Sequence, residues 1–64
     1  MTERMVFCLP HNAIVTLERT HHAAPFQGVI SHDDGTVSLL PLVYHSADDA
    51  RMAAITIAQE HCNK

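Results

Sequence analysis

The sequence is poor in positive charge, in glycine and in long apolar runs. No apolar run approaches the ~20 residues that a membrane-spanning helix needs. No basic stretch followed by an apolar one marks a secretory signal near Met1. We therefore expect a cytoplasmic protein that does not span a membrane. With only Gly28 and Gly35, the sequence also lacks a glycine-rich loop that would cradle a phosphate group.

The scarcity of cations excludes two classes of partner. Four Lys and Arg residues are dispersed along the chain against seven Asp and Glu residues, which gives a formal net charge of -3 at pH 7. Nucleic-acid binding requires basic residues clustered against phosphates, and binding to a membrane surface requires a polybasic patch. Neither feature is present, so the predicted partner is a protein, and neither a nucleic acid nor a membrane.

What the sequence does contain is apolar material for one small domain. Hydrophobic residues make up 47% of the 64 residues and charged residues only 17%, which excludes a disordered chain. We therefore expect a single domain over residues 1–64. A core built from so few residues is marginal unless something else adds buried surface or a cross-link.

The hydrophobic pattern predicts four strands and one helix. Asp33–Thr36 is typical of a hairpin turn, because Gly35 tolerates a positive φ. Ser46 is a suitable N-cap, and Asp48 and Asp49 suit the positive end of the helix dipole. The predicted strands cover residues 4–9, 13–20, 26–32 and 37–44, and the predicted helix covers residues 47–62. The fold class is therefore α+β, an antiparallel sheet of three to four strands with one C-terminal helix packed on one face.

The predicted helix has one face of small residues. At about 100° per residue, that face is made up of Ala50, Ala53, Ala54, Ile57 and His61. Small side chains there allow a close approach to the sheet. Met52 and Ile55 fall outside the stripe, so we expect them to be partly exposed.

The fourth predicted strand is apolar on both faces. One face carries Val37, Leu39 and Val43, and the other carries Leu40, Leu42 and Tyr44. Because Pro41 cannot donate a ladder hydrogen bond, this strand should lie at an edge or contain a bulge. An apolar run of this kind is typical of a strand buried on both faces, yet one helix covers only one. The missing cover is a second copy of the chain, a different protein or the N-terminal segment.

The sequence therefore predicts a non-catalytic small binding protein that acts by protein–protein contact, as a homodimer, as an inhibitor that occludes a larger protein, or both. The predicted partner-binding residues are Leu40, Leu42, Tyr44, Met52 and Ile55. Tyr44 is the predicted anchor, because aromatic residues are favoured in interfaces. In size and plan the chain resembles the small sheet-plus-helix accessory proteins with which bacteriophages block host enzymes, and this resemblance implies an inhibitor of a host protein.

The six histidines support an alternative prediction, a zinc-stabilised or metal-sensing domain. Sequential antiparallel strands would gather Cys8, His11, His32, His61 and Cys62 at one end of the sheet. Two thiolates and two imidazoles form a workable tetrahedral zinc set. The spacing argues against a metal, because no C-x-x-C, H-x-x-x-H or H-E-x-x-H motif is present. If no metal binds, these residues are solvated groups at turn ends, with His61 beside the negative end of the helix dipole.

The histidines at the other end of the sheet and the two cysteines each leave two interpretations open. His21, His22 and His45 should lie together at the opposite end, as a pH-sensitive binding edge or as ordinary loop histidines. Protonation of all six histidines would move the formal charge from -3 to +3 (-3 plus 6), so mild acid should alter the interactions of the protein. Cys8 and Cys62 are expected to be free thiols in a reducing compartment, with one disulfide between the chain ends as the alternative.

No catalytic site is expected. His45, Ser46 and Asp48 could be drawn as a triad, but the geometry of a triad comes from separated segments and not from sequence neighbours. Helix capping already accounts for the serine and the aspartate. We therefore predict that the protein is not an enzyme and has no cofactor.

Overall fold

The structure, a computed structural model, describes residues 2–63. Its elements are the strands β1 (Glu3–Cys8), β2 (Ile14–Arg19), β3 (Gln27–Ser31) and β4 (Val37–Leu39), and the helix α1 (Ala47–Cys62). The strands form one antiparallel sheet in the order β1-β2-β3-β4, so each strand pairs with its neighbour in sequence. The predicted α+β fold is confirmed, with four strands and α1 packed on one face. Within residues 2–63, no helix is long and apolar enough to cross a membrane.

Two tight connections bring neighbouring strands together. Between β1 and β2, Pro10–Asn12 forms a 3₁₀ turn in which His11 and Asn12 both have φ of 61°. The hairpin turn predicted between β3 and β4 is present, and Gly35 has φ of 90° there. Asp34 Oδ1 accepts a hydrogen bond from the backbone N–H of Thr36 at 3.0 Å and another from its hydroxyl.

The fourth strand is shorter than the predicted 37–44. It ends at Leu39, because Pro41 has no N–H to continue the ladder. The chain then leaves the sheet and returns at Tyr44, whose backbone exchanges hydrogen bonds of 2.6 and 3.1 Å with that of Phe26. Since Leu40 N–H donates to the carbonyl of Gly28, residues 41–43 stand opposite a single residue of β3, Gln27. This detour pushes the 41–43 segment out of the sheet.

The core lies between α1 and one side of the sheet, which we call the covered face. Its fully buried large side chains are Val15, Leu17 and Ile30. β2 and β3 supply them, and these are the strands on which α1 packs. The opposite side of the sheet, which α1 does not contact, is called the open face below.

The helix approaches the covered face through alanines spaced four residues apart. Ala50, Ala54 and Ala58 are buried, and residues four apart lie in one row along a helix. Within the predicted stripe Ala50 and Ala54 are buried and Ala53 is partly buried, and the buried Ala58, which the prediction left out, extends it. Met52 is exposed, and Ile55 is partly exposed as expected and packs against the core with its buried part.

Gly28 allows Leu40 to lie against the covered face. A Cβ at Gly28 would come within 2.4 Å of Leu40 Cδ1 and 2.9 Å of Leu17 Cδ2. Leu40 is consequently partly buried against the core, although it follows the end of β4. The absent side chain at Gly28 thus fixes where the 41–43 detour begins.

We expect Gly28→Ala to lower the free energy of unfolding by about 1–3 kcal/mol, since overpacking forces side chains off their rotamers. In a Leu40→Ala background the same change should cost at least about 1 kcal/mol less, because the added methyl group then has room. Urea unfolding followed by circular dichroism of the four chains of this double-mutant cycle measures the difference. Additive effects would show that Leu40 does not lie over Gly28.

Candidate interaction surface

The open face consists of three rows of side chains that run across the strands. The registers of the sheet define each row. The first row is Arg4, Glu18 and Gln27; the second is Val6, Thr16, Val29 and Leu39; the third is Cys8, Ile14, Ser31 and Val37. Polar side chains thus occupy one border of the face, and apolar side chains dominate the two rows beside it.

The exposed apolar side chains of the molecule are concentrated on this side. Among the described residues, the exposed large hydrophobic side chains are Val6, Ile14, Val29, Val37, Leu39, Leu42, Val43 and Met52. The first five lie on the open face, and Leu42 and Val43 adjoin it; only Met52 lies on the helix. Leu39 and Val37 are 71% and 62% exposed. Single exposed apolar residues are ordinary, but a contiguous patch marks an interaction surface.

A groove lies where the 41–43 detour meets the open face. Its volume is about 430 Å³. Val29 and Leu39 line it from the sheet, Leu42 and Val43 line it from the detour, and Glu18 stands at its polar end. The groove combines an apolar floor with a polar border, which is the arrangement of protein interfaces.

Over residues 2–63, the open face carries no net formal charge. Its two charged residues, Arg4 and Glu18, are register partners and form an ion pair of 3.1 Å. The other described acidic residues lie elsewhere: Glu3 pairs with Arg19, Asp33 and Asp34 belong to the β3–β4 turn, and Asp48, Asp49 and Glu60 belong to α1. The excess negative charge of the chain is therefore kept away from the exposed apolar rows.

The predicted partner-binding residues do not form one surface. Leu42 is exposed in the groove, and Met52 is exposed on α1. Leu40, Tyr44 and Ile55 are partly buried and pack against the core. Leu40 and Tyr44 lie on the covered side of the sheet, which leaves Val37 and Leu39 on the open face.

Sequence reasoning missed most of the open face. Val6, Ile14 and Val29 occupy outward positions of β1, β2 and β3, and the sheet registers bring them close to Leu39. Alternation along each strand was the available signal, since residues two apart share a face. Alternation did not show which of the two faces of the sheet α1 would cover.

A second cleft of about 430 Å³ lies at the end of the sheet near the C-terminus of α1. We call it the histidine cleft, and its titratable lining residues are His11, His32, Asp33, Asp34, His61 and Cys62. Four of the five residues predicted as zinc ligands therefore share one cleft. Cys8, the fifth, is exposed on the open face.

Two stacked rings form the centre of the histidine cleft. The rings of His32 and His61 have centroids 3.8 Å apart and an interplanar angle of 19°. His32 is buried, and its Nε2 lies 2.7 Å from Ser38 Oγ. His61 Nε2 lies 3.0 Å from Asp34 Oδ2. These contacts connect the last turn of α1 to the β3–β4 hairpin.

The two stacked rings are not oriented to share one metal ion. Imidazole binds a metal through a lone pair in the ring plane, and nearly parallel rings cannot both direct one at the same ion. Within residues 2–63, no group of three or more His, Cys, Asp or Glu side chains is placed to hold a metal ion. Zinc binding by the five predicted residues stays a prediction. Cys8 and Cys62 are free and exposed, and no disulfide joins them.

The opposite end of the sheet is less organised. His21, His22 and His45 are all exposed, and His21 Nδ1 accepts a hydrogen bond from the backbone N–H of Ala23 at 3.3 Å. Nearby, a hydrogen bond from Arg19 lowers the pKa of the Glu3 carboxyl, and His22 contributes less. A pH-sensitive binding edge at this end stays a prediction.

The residues drawn as a triad are all exposed. Ser46 occupies the N-cap position of α1, but its side chain makes no capping hydrogen bond. No hydrogen bond among the described residues links His45, Ser46 and Asp48 side chains. The absence of catalysis stays a prediction.

We expect Asp34→Asn to make stability less dependent on acid pH. Hydrogen bonds from the Thr36 side chain, the Thr36 backbone and His61 hold the pKa of Asp34 well below its ordinary value of 3.8. A carboxyl whose pKa is lower in the folded state adds stability that is fully present above the unfolded-state pKa and is lost as the pH falls below it. Wild type should therefore exceed Asp34→Asn in stability at pH 7, and the difference should shrink below about pH 4.

Urea unfolding at pH 7, 5 and 3 measures this difference, with Asp33→Asn as the control of equal charge change. Asp33 is an exposed neighbour that takes no part in the contacts with Thr36 and His61. A difference between wild type and Asp34→Asn that is the same at all three pH values would contradict the role assigned to Asp34.

Comparison with family models, with curated proteins and with solved structures found no match. We therefore infer the function from the residues of this chain and from their arrangement.

Proposed function

We propose that this chain is a non-catalytic protein-binding domain whose contact surface is the open face. The observation that supports this proposal is the segregation of exposed apolar side chains. Seven of the eight lie on or beside the open face. Random scatter would distribute them over the helix and the loops as well.

The energetics of this surface favour a buried state. Removing a valine or leucine side chain from water contributes about 1.5–3 kcal/mol when burial is complete. Val6, Val37 and Leu39 are each at least 60% exposed, so most of this free energy is still available in the isolated chain. A partner that covers them offsets the entropic cost of association.

The layout of charge supports a protein partner. Among the described residues, the open face has one cation, Arg4, and it is already paired with Glu18. A nucleic acid or an anionic membrane requires several unpaired cations on the contact surface. An apolar centre with a polar border is typical of the surface that a protein contacts.

Occlusion of a larger protein, as implied by the resemblance to phage accessory proteins, would use the same surface. A sheet face of four short strands can cover a site on a larger molecule without chemistry of its own. We therefore keep inhibition by occlusion as one form of the proposed binding function.

We expect Leu39→Glu to weaken protein binding at least about tenfold, because the new carboxylate would lose its hydration at the contact. Met52→Glu is the matched control: it makes the same change at an exposed apolar residue, 61% exposed, on the helix. Wild type and both variants are immobilised at equal density and exposed to an extract of the source cells and to purified wild-type chain.

A protein that wild type and Met52→Glu retain, and that Leu39→Glu loses, supports the proposal. Equal retention on all three chains, or no retention on wild type, would contradict it.

A further inference from the structure

We infer that the occupant of the open face is a second copy of this chain, so that two sheets pack face to face and enclose a second core. This inference rests on the proposed function, and it adds the identity of the partner and the orientation of the two copies.

The first argument is the small size of the existing core. Within residues 2–63 the buried large apolar side chains are few, and α1 adds three buried alanines; the large ones are Leu9, Val15, Leu17, Phe26 and Ile30. Small domains with little buried apolar surface commonly gain the remainder from oligomerisation. If a second copy covered them, the apolar rows of the open face would supply the additional buried apolar surface.

The second argument is the charge of the face. Two copies of a chain with a formal net charge of -3 repel each other wherever their acidic residues meet. On the open face the one acidic residue, Glu18, is neutralised by Arg4, and the remaining described acidic residues lie off the face. Two copies can therefore pack with their open faces together without bringing unpaired acidic side chains into contact. The open face also offers no unpaired charge that would select a partner of opposite charge.

The third argument is the order of the rows, which selects one orientation. A two-fold axis parallel to the strands places each row opposite the same row of the partner, with β1 over the partner's β4. Val6 then faces the segment that carries Leu39, and Glu18 faces the segment that carries Gln27. An axis perpendicular to the strands would instead place Arg4 and Glu18 over the row of Cys8 and Ile14, and Glu18 would then lack the polar neighbour, Gln27, that the parallel axis gives it. The arrangement of rows therefore favours the parallel axis.

The resulting assembly is a sandwich of two aligned sheets. Sheets in such sandwiches pack about 10 Å apart with their inner side chains interdigitated. A stable interface buries roughly 800 Å² per partner, which is about a fifth of the 4359 Å² accessible surface of this chain. One broad side of a two-layer molecule, together with Leu42 and Val43, is the part of the surface that can provide this area.

Sedimentation equilibrium of the purified chain tests the inference. We expect the mass to rise with concentration from 7.1 kDa to twice that value. Leu39→Glu should stay at the monomer mass at concentrations where Met52→Glu behaves as wild type. Circular dichroism checks that each variant is folded. If Leu39→Glu does not fold, Val37→Glu replaces it, since Val37 is also exposed in the apolar rows.

The two free cysteines provide an independent readout. Cys8 lies on the open face at β1, and Cys62 lies at the end of α1; both are exposed. Chains carrying Cys62→Ser or Cys8→Ser are alkylated with a maleimide at low and at high protein concentration. Alkylation of Cys8 should slow at least about tenfold as the dimer forms, whereas alkylation of Cys62 should stay unchanged.

The outcomes separate this inference from the proposed function. A wild-type chain that stays at 7.1 kDa, while its open face still retains another protein from the extract, overturns the second copy and leaves the binding function in place. A monomer without face-dependent retention overturns both. A dimer that Leu39→Glu leaves intact, or in which Cys8 stays reactive, places the contact elsewhere and overturns the inference.

Discussion

The contact between the alanine row of α1 and the covered face is the constraint on which the rest of the structure depends. A helix with its side chains is about 10–12 Å wide, and α1 packs on the two central strands of the sheet, β2 and β3. One helix can therefore cover one face of this sheet and nothing more. Because alternate residues of every strand point to the opposite face, any apolar residue there remains in contact with solvent.

Pro41 shapes the surface that α1 leaves uncovered. Its missing N–H ends β4 after three residues, and the chain rejoins the sheet only at Tyr44. The detour keeps this edge strand short, which limits uncontrolled pairing with other strands. It also turns Leu42 and Val43 toward the groove, so that one residue both protects an edge and extends the apolar surface.

The histidine cleft supports the same surface from the far end of the sheet. His61 on α1 stacks on His32 and contacts Asp34 in the β3–β4 turn. Asp34 in turn holds Thr36, the residue before β4. These contacts fix the hairpin that carries Val37 and Leu39, and the cleft is therefore structural support for the proposed interface.

The sequence by itself determined the fold class, the helix over residues 47–62, the hairpin turn at Asp33–Thr36 and the expectation that one face of the sheet would lack a cover. These features depend on local chemistry: the periodicity of apolar residues, the conformational freedom of Gly35 and the missing donor at Pro41. Local chemistry also predicted that the histidines would meet at one end, because antiparallel strands alternate in direction.

Only the tertiary structure decided which residues form the open face. The segment predicted as the fourth strand, residues 37–44, is apolar on both sides, so its sequence is compatible with either side turned toward α1. One side of this segment faces the core, because Leu40 lies close to Gly28 and Tyr44 packs on the core. The sheet registers then align Val6, Val29 and Leu39 on the other side. A local sequence pattern cannot predict such packing, because the packing depends on the fit between segments that are far apart in the chain.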